Sequence, residues 1–306
     1  MTRDLRPFFV PVLVINYFPV KNGRIDKAAT GDVDAPLEKM QDHVVRTTWD
    51  VMYALEHGSA YRRYKDERAT PCLRYGVVDT VEFHEPLPTW NKPGRKVPMT
   101  DYNAIMERID ARYWVEEVGV KEFWIWGYHG GVLDLWESNM AGPHGDISNS
   151  DRDPNDLPIF DKTYTVYHYN YQRTASEAVE NHMHQIEAVL REIDHTLFWK
   201  TFVGKPGEGR CGWAHFPPNG ERDYDWQNPK YVMSDIEDWQ PDGRGELKKM
   251  NCDQWNADSL NWFIYWMQSL PGDNNEIRYK GRRLTNWWSF IGDFDNMMNR
   301  GMGLVE

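Results

Sequence analysis

Apolar residues recur at two spacings along this chain, and the switching between them predicts strands and helices in turn. Residues 11–18 (PVLVINYF) are a short β-branched and aromatic run, which predicts a first strand. Residues 36–56 place apolar side chains near helical spacing, and Gly58 supplies a common C-terminal stop. Residues 73–83 read as a second strand, 102–118 as a second amphipathic helix closed by Gly119, and 122–128 (EFWIWGY) as a buried strand. Regular structure then lapses. Residues 129–161 form a Gly-, Pro-, Asp- and Asn-rich excursion of the kind that carries function in a compact domain. An alternating strand follows at 163–171, then a helix over 175–193 opened by Thr174 and Glu177 as a capping box. A further strand is expected at 198–203, irregular chain over 204–259, and closing helices at 260–270 and 287–299.

Strands alternating with helices predict an α/β fold with a mostly parallel or mixed sheet and helices on both faces. No repeat and no Pro/Ser-rich linker divides the 306 residues, so a single domain is expected, its residues 204–306 forming an irregular Trp-rich cap. Aromatic residues make up 14% of the chain, and Trp alone numbers 15, nine of them between Trp199 and Trp288. Such an excess serves either a core or a surface that stacks on sugars.

Lys and Arg number 35 against 47 Asp and Glu, a formal charge of −12. No clustered basic patch offsets it, so nucleic acid and anionic membrane are not expected partners. The most apolar window, 260–270, is too short to span a bilayer and contains Asn and Gln. The first twenty residues read as a strand rather than a leader, because Pro11 interrupts the run and no A-x-A-like cleavage pattern follows. Of the three cysteines, Cys211 and Cys252 flank a loop-rich segment where a disulfide would constrain most; three reduced thiols are the other reading. A disulfide there would suit a secreted or periplasmic protein.

The helix at 175–193 carries two histidines among carboxylates. At 3.6 residues per turn Glu180, His184, Glu187 and Arg191 share one face, while His182 points away. His184 and Glu187, joined by a distal His215 or His129, have the donor chemistry for a divalent cation such as Zn²⁺; a face of salt bridges would use the same residues without one. No His-Glu-x-x-His occurs. A Ca²⁺ site is expected from Asp151 and Asp153, which with Asn155 match positions 1, 3 and 5 of a calcium loop, although Asp156 and Lys162 stand where an EF-hand needs Gly and Glu. A solvated Asp/Asn turn is the alternative.

Ligands of open α/β sheets bind beyond the carboxyl ends of the strands, which singles out Asn16, His84, Glu85, His129, Asn139, Asn170 and Arg173. Glu137, between VLDLW and SNMAG, is the candidate general acid, since partial burial would raise its pKa. Glycoside hydrolysis needs a second carboxylate, assigned to Asp225 with Glu177, Asp223 and Asp235 as alternatives. His129 and Arg173 are the expected substrate anchors. Trp213, Tyr224, Trp226 and Trp239 are expected to stack on a sugar ring, with Asn139, Asn170 and His215 reading its hydroxyls. The sequence lacks G-x-S-x-G, G-x-x-x-x-G-K-S/T and G-x-G-x-x-G, so lipase, P-loop and dinucleotide chemistry lose their usual support and no nucleotide cofactor is expected. These residues predict a hydrolase of a carbohydrate or glycoconjugate. The alternatives are a zinc-dependent hydrolase, peptidase or amidase centred on His184 and Glu187, and a non-catalytic glycan-binding protein.

Overall fold

Five strands form one mixed sheet: β1 (Phe8–Tyr17), β2 (Leu73–Phe83), β3 (Glu122–Gly127), β4 (Ser138–Ala141) and β5 (Tyr164–Asn170), in the order β2-β1-β3-β5-β4. The computed structural model describes residues 6–149 and 156–306. Its chain divides into two compact units. A sheet unit comprises Val10–Val51 and Tyr75–Gln185; a C-terminal unit comprises Met52–Arg74 and Ile186–Glu306 together with the residues up to Phe9.

In the sheet, β1 pairs parallel with β3 and β3 parallel with β5, while β4 runs antiparallel to β5. β3 and β4 are buried along their whole length and β5 along all but its last residue, so both faces are covered. That burial explains why the stretch after Glu122, FWIWG, is continuously apolar rather than alternating. β1 lies inside the sheet with β2 on one side and β3 on the other, so the sheet grows in opposite directions from it. The carboxyl ends beside such a reversal are where ligands of α/β folds bind.

Besides the single turn Lys27–Thr30, three α-helices accompany these strands among the described residues: α1 (Leu37–Gly58), α2 (Tyr102–Arg108) and α3 (Ala175–Ile193). Asp101 starts α2 by accepting the Ala104 N–H at 3.0 Å. The helix expected over 102–118 is broken after Arg108 and resumes as one π-helical turn, Tyr113–Val118, which Gly119 closes at φ +85°. α3 opens as expected: the Glu177 carboxylate accepts the Thr174 N–H at 3.1 Å and is itself held by Arg173 at 2.8 Å.

Under α3 the sheet carries a buried polar row. The His182 ring stacks on Tyr167 with centroids 3.7 Å apart, and its Nε2 lies 2.6 Å from the Tyr169 hydroxyl. Glu122 accepts the Trp124 indole N–H at 2.7 Å. Burial pushes the Glu122 carboxyl up to about 8, against the opposing pull of Trp124, Lys121 and Tyr75. Burial likewise holds His182 far below its ordinary value, so its ring is neutral.

The C-terminal unit is irregular and Trp-rich. The strand expected at 198–203 is a π-helix, Thr196–Val203, whose Leu197, Phe198, Phe202 and Val203 are buried. Their separation of four to five residues is a helical spacing, visible in FWKTFV as two apolar pairs flanking a polar pair. The closing helices are α4 (Ser259–Met267), α5 (Ser289–Gly292) and α6 (Phe294–Asn299). The chain before them is pinned by indole donors: Trp226 and Trp262 both donate to the Ala214 carbonyl, Trp266 to Gly212, Trp255 to Trp226 and Trp239 to Thr201. Each such bond satisfies a carbonyl that no ladder would. Trp239 is therefore a core residue, fully buried against Phe202, and not the stacking surface expected for it. Of the two readings of the cysteines, the reduced one holds and Cys211 and Cys252 are not bridged. All three thiols are free and buried, Cys211 beside the Arg210–Asp235 ion pair and Cys252 at the start of the turn Cys252–Trp255. Among the described residues no helix is long and apolar enough to cross a membrane.

Candidate active site in the sheet unit

The loops that leave the carboxyl ends of β2 and β3 meet. Thr89–Trp90 pairs antiparallel with Met99–Thr100, and the Thr100 N–H and the Asp134 carbonyl join that ribbon to the 129–137 loop at 3.0 Å. Between them opens a cleft of about 490 Å³ lined by Trp90, Thr100, Asp101, Tyr102, Asn103, Trp136 and Asp156. Asp156 is buried, and its charge opposes ionisation of Tyr102 and of Tyr164, which places a carboxylate near the floor. Asp101 stands on the opposite side of Tyr102 in sequence, one oxygen engaged by the α2 N-terminus.

Tyr102 is the keystone of this arrangement. Its hydroxyl accepts the Trp136 backbone N–H at 2.8 Å and lies 3.0 Å from His168 Nδ1 on β5, while its ring stacks on the Trp136 indole at 5.1 Å and 11°. Burial, with a smaller contribution from His129, pushes the His168 imidazole down to about 3. The neutral ring carries a single proton, and its Nδ1 shares one hydrogen bond with the Tyr102 hydroxyl. Gly127 makes room for that ring: a Cβ there would lie 2.8 Å from Nε2. Lys92 covers the other face of Trp136 at 4.7 Å, so the exposed aromatic surface of the cleft is Trp90, 38% accessible.

Several buried polar atoms at the carboxyl ends have no hydrogen-bond partner among the described residues: Asn16 Oδ1, Trp126 Nε1, His168 Nε2 and Tyr171 OH, with Trp136 Nε1 in the cleft wall. Native proteins leave few such groups unpaired, and a concentration of them marks a place where water or a polar ligand completes the bonding.

The residues singled out from the sequence fall elsewhere. Glu137 is half-buried, its carboxylate 2.6 Å from Asn149 Nδ2 and its carbonyl bonded to Asn181 and His168. His129 is exposed with Nδ1 on the Leu133 carbonyl, and Arg173 serves the α3 cap. Asn170 makes a local turn to the Gln172 N–H, while Asn139 is buried against Ser148. Asp151 and Asp153 lie outside the described residues.

In the C-terminal unit the expected aromatic turn is assembled. His215 and Tyr224 rings lie 4.2 Å apart, Tyr224 and Trp226 5.3 Å, and Trp213 packs on Phe216 at 4.4 Å. Tyr224 is 55% exposed and sits at φ +62°, a conformation a bulky residue adopts only under constraint. The constraint comes from Asp225, which accepts the Glu221 N–H, the Asn228 amide and Arg222. Burial alone would raise the Asp225 carboxyl, and those donors together hold it below its usual range. Asp225 is thus a turn anchor. On α3, Glu180 and His184 approach to 3.7 Å, whereas Glu187 accepts the Ala214 N–H at 2.7 Å and fixes backbone. His215 lies 3.7 Å from Asp223.

Protein-family models, curated proteins and solved structures were compared with this chain, and none matches it. Sequence reasoning passed over Trp90, Asp101, Tyr102, Trp136 and His168. The one available signal was proximity: Trp136 adjoins Glu137 in the loop that was singled out.

Proposed function

We propose that the protein is a hydrolase of a carbohydrate or glycoconjugate, with the cleft of the sheet unit as its active site. The observation that carries this reading is one cleft holding an exposed Trp90, a supported Trp136 and two aspartates. A pyranose presents apolar C–H faces that stack on indole and hydroxyls that planar polar groups read. Glycosidic cleavage needs two carboxyl groups in different protonation states. Asp156, buried near the floor, is assigned as the acid, and Asp101, at the start of α2, as the base or nucleophile. Asn103 and Thr100 orient hydroxyls, and Trp136 Nε1 supplies a donor. Location in the periplasm or outside the cell remains part of the proposal on the ground of such a substrate alone, since no disulfide supports it.

The test is release of reducing ends from a broad glycan panel. Asp156→Asn is expected to lower kcat by on the order of 100-fold or more, and Trp90→Ala to weaken binding by about tenfold. Binding without turnover by the unmodified protein would replace hydrolysis with the non-catalytic reading, and no binding of any glycan would remove both. A zinc-dependent reading keeps one specific support, the Glu180–His184 pair, which lies 3.7 Å apart on α3. It requires stoichiometric metal in dialysed protein that His184→Ala abolishes.

A further inference from the structure

α1 carries a line of large apolar side chains that the rest of the chain leaves uncovered. Val45, Trp49 and Tyr53, spaced by four, are 55%, 63% and 61% exposed, although Val44, Val51, Ala54 and Leu55 of the same helix are buried. Four-residue spacing puts the three on one line along the helix. A tryptophan in mid-helix exposed to that extent is the kind of surface that marks an interaction site. Beside the line stand Arg46 and Asp50, both exposed, and neither forms an ion pair among the described residues; Arg46 reaches only the Asp42 carbonyl.

We propose that this stripe is the contact between two copies of the chain, the α1 helices packing antiparallel about a two-fold axis near Trp49. The argument is self-complementarity. In an isologous contact the same patch serves both sides, and residue i meets j while j meets i. Antiparallel packing centred on Trp49 sets Val45 against Tyr53 of the second copy and Trp49 against Trp49. It also brings Arg46 beside the other copy's Asp50, and Asp50 beside its Arg46, so one register buries the apolar line and pairs both idle charges twice. A parallel pairing would set Arg46 against Arg46 and Asp50 against Asp50. The charge pattern therefore selects the antiparallel dimer over it, as flanking charges select helix orientation in coiled coils.

The experiment is sedimentation velocity on the full chain over a wide concentration range, with far-ultraviolet circular dichroism as the fold control. The unmodified protein is expected to be dimeric. Trp49→Asp is expected to raise the dissociation constant by on the order of 100-fold, as loss of a central aromatic does. Arg46→Asp alone and Asp50→Arg alone are each expected to weaken association about tenfold, and the double exchange to restore it. A monomer at every concentration overturns the proposal and leaves the stripe to a different protein. A dimer that ignores Trp49→Asp, or a double exchange no better than the singles, overturns it equally.

Discussion

Glu122 is a carboxyl buried at the start of an apolar strand. A carboxyl with an ordinary value near 4.3 when unfolded is raised to about 8 in the folded chain, chiefly by burial. The folded state therefore binds the proton more tightly. Stability is unaffected below the unfolded value, falls as pH rises between the two, and levels off above the folded one. At about 1.4 kcal/mol per unit the loss approaches roughly 5 kcal/mol. Glu122→Gln keeps an acceptor for the Trp124 indole N–H and removes the ionisation, so it is expected to flatten this alkaline decline. Urea midpoints of both proteins at acid, neutral and alkaline pH check it; parallel curves would show that Glu122 ionises freely in place. His168 and His182 act with the opposite sign, being neutral when folded, so they weaken the fold as pH falls below the ordinary histidine range, in both proteins alike.

At the scale of elements, one hydroxyl joins α2, the loop after β3, and β5. Tyr102→Phe leaves the Trp136 N–H and His168 Nδ1 without their partner in a buried site, which is expected to destabilise by about 3 kcal/mol. It should also loosen Trp136 and weaken glycan binding while the carboxylates remain. Unchanged thermal stability would mean that water replaces the hydroxyl. This joint shows why the elements were legible and the site was not. β1, β3, β5 and α3 announce themselves by local periodicity and a capping pair. The cleft depends on Thr89–Trp90 meeting Met99–Thr100 across a Lys- and Pro-containing turn, and on a helix residue reaching a strand residue 66 positions away. Read locally, Tyr102 is only an apolar position near a helix start and His168 only one residue of an alternating strand. The aromatic turn at 213–228 was legible because its members are close in sequence, whereas the three donors that hold Asp225 as its anchor cannot be read from spacing. The 198–203 segment failed because six residues rich in aromatic and β-branched side chains span less than two helical turns, too short a window for a helical period to outweigh strand composition.

Across the whole molecule the tryptophan excess separates into structural and functional shares. Nine of the 15 are buried and four are partly covered, so the indole content mostly fills cores and pins irregular backbone. Two stand out as exposed, Trp49 at 63% and Trp90 at 38%, and each belongs to a different proposal. That division makes fluorescence a discriminating reporter. The fraction of emission readily quenched by acrylamide should come from these two, and Trp49→Phe with Trp90→Phe together should remove most of it. Glycan titration is expected to change the emission of the Trp49→Phe protein strongly and that of the Trp90→Phe protein much less, the buried Trp136 being the one indole left in that cleft. Dilution through the dimer dissociation range is expected to do the reverse, changing Trp90→Phe and leaving Trp49→Phe silent. A ligand response undiminished by Trp90→Phe would move the glycan site away from the cleft, with the partly exposed Trp213 and Trp226 of the C-terminal turn as its next location. A concentration response that survives Trp49→Phe would move the dimer contact off α1. The two readings can thus fail separately, because the chain places one solvent-facing indole at each.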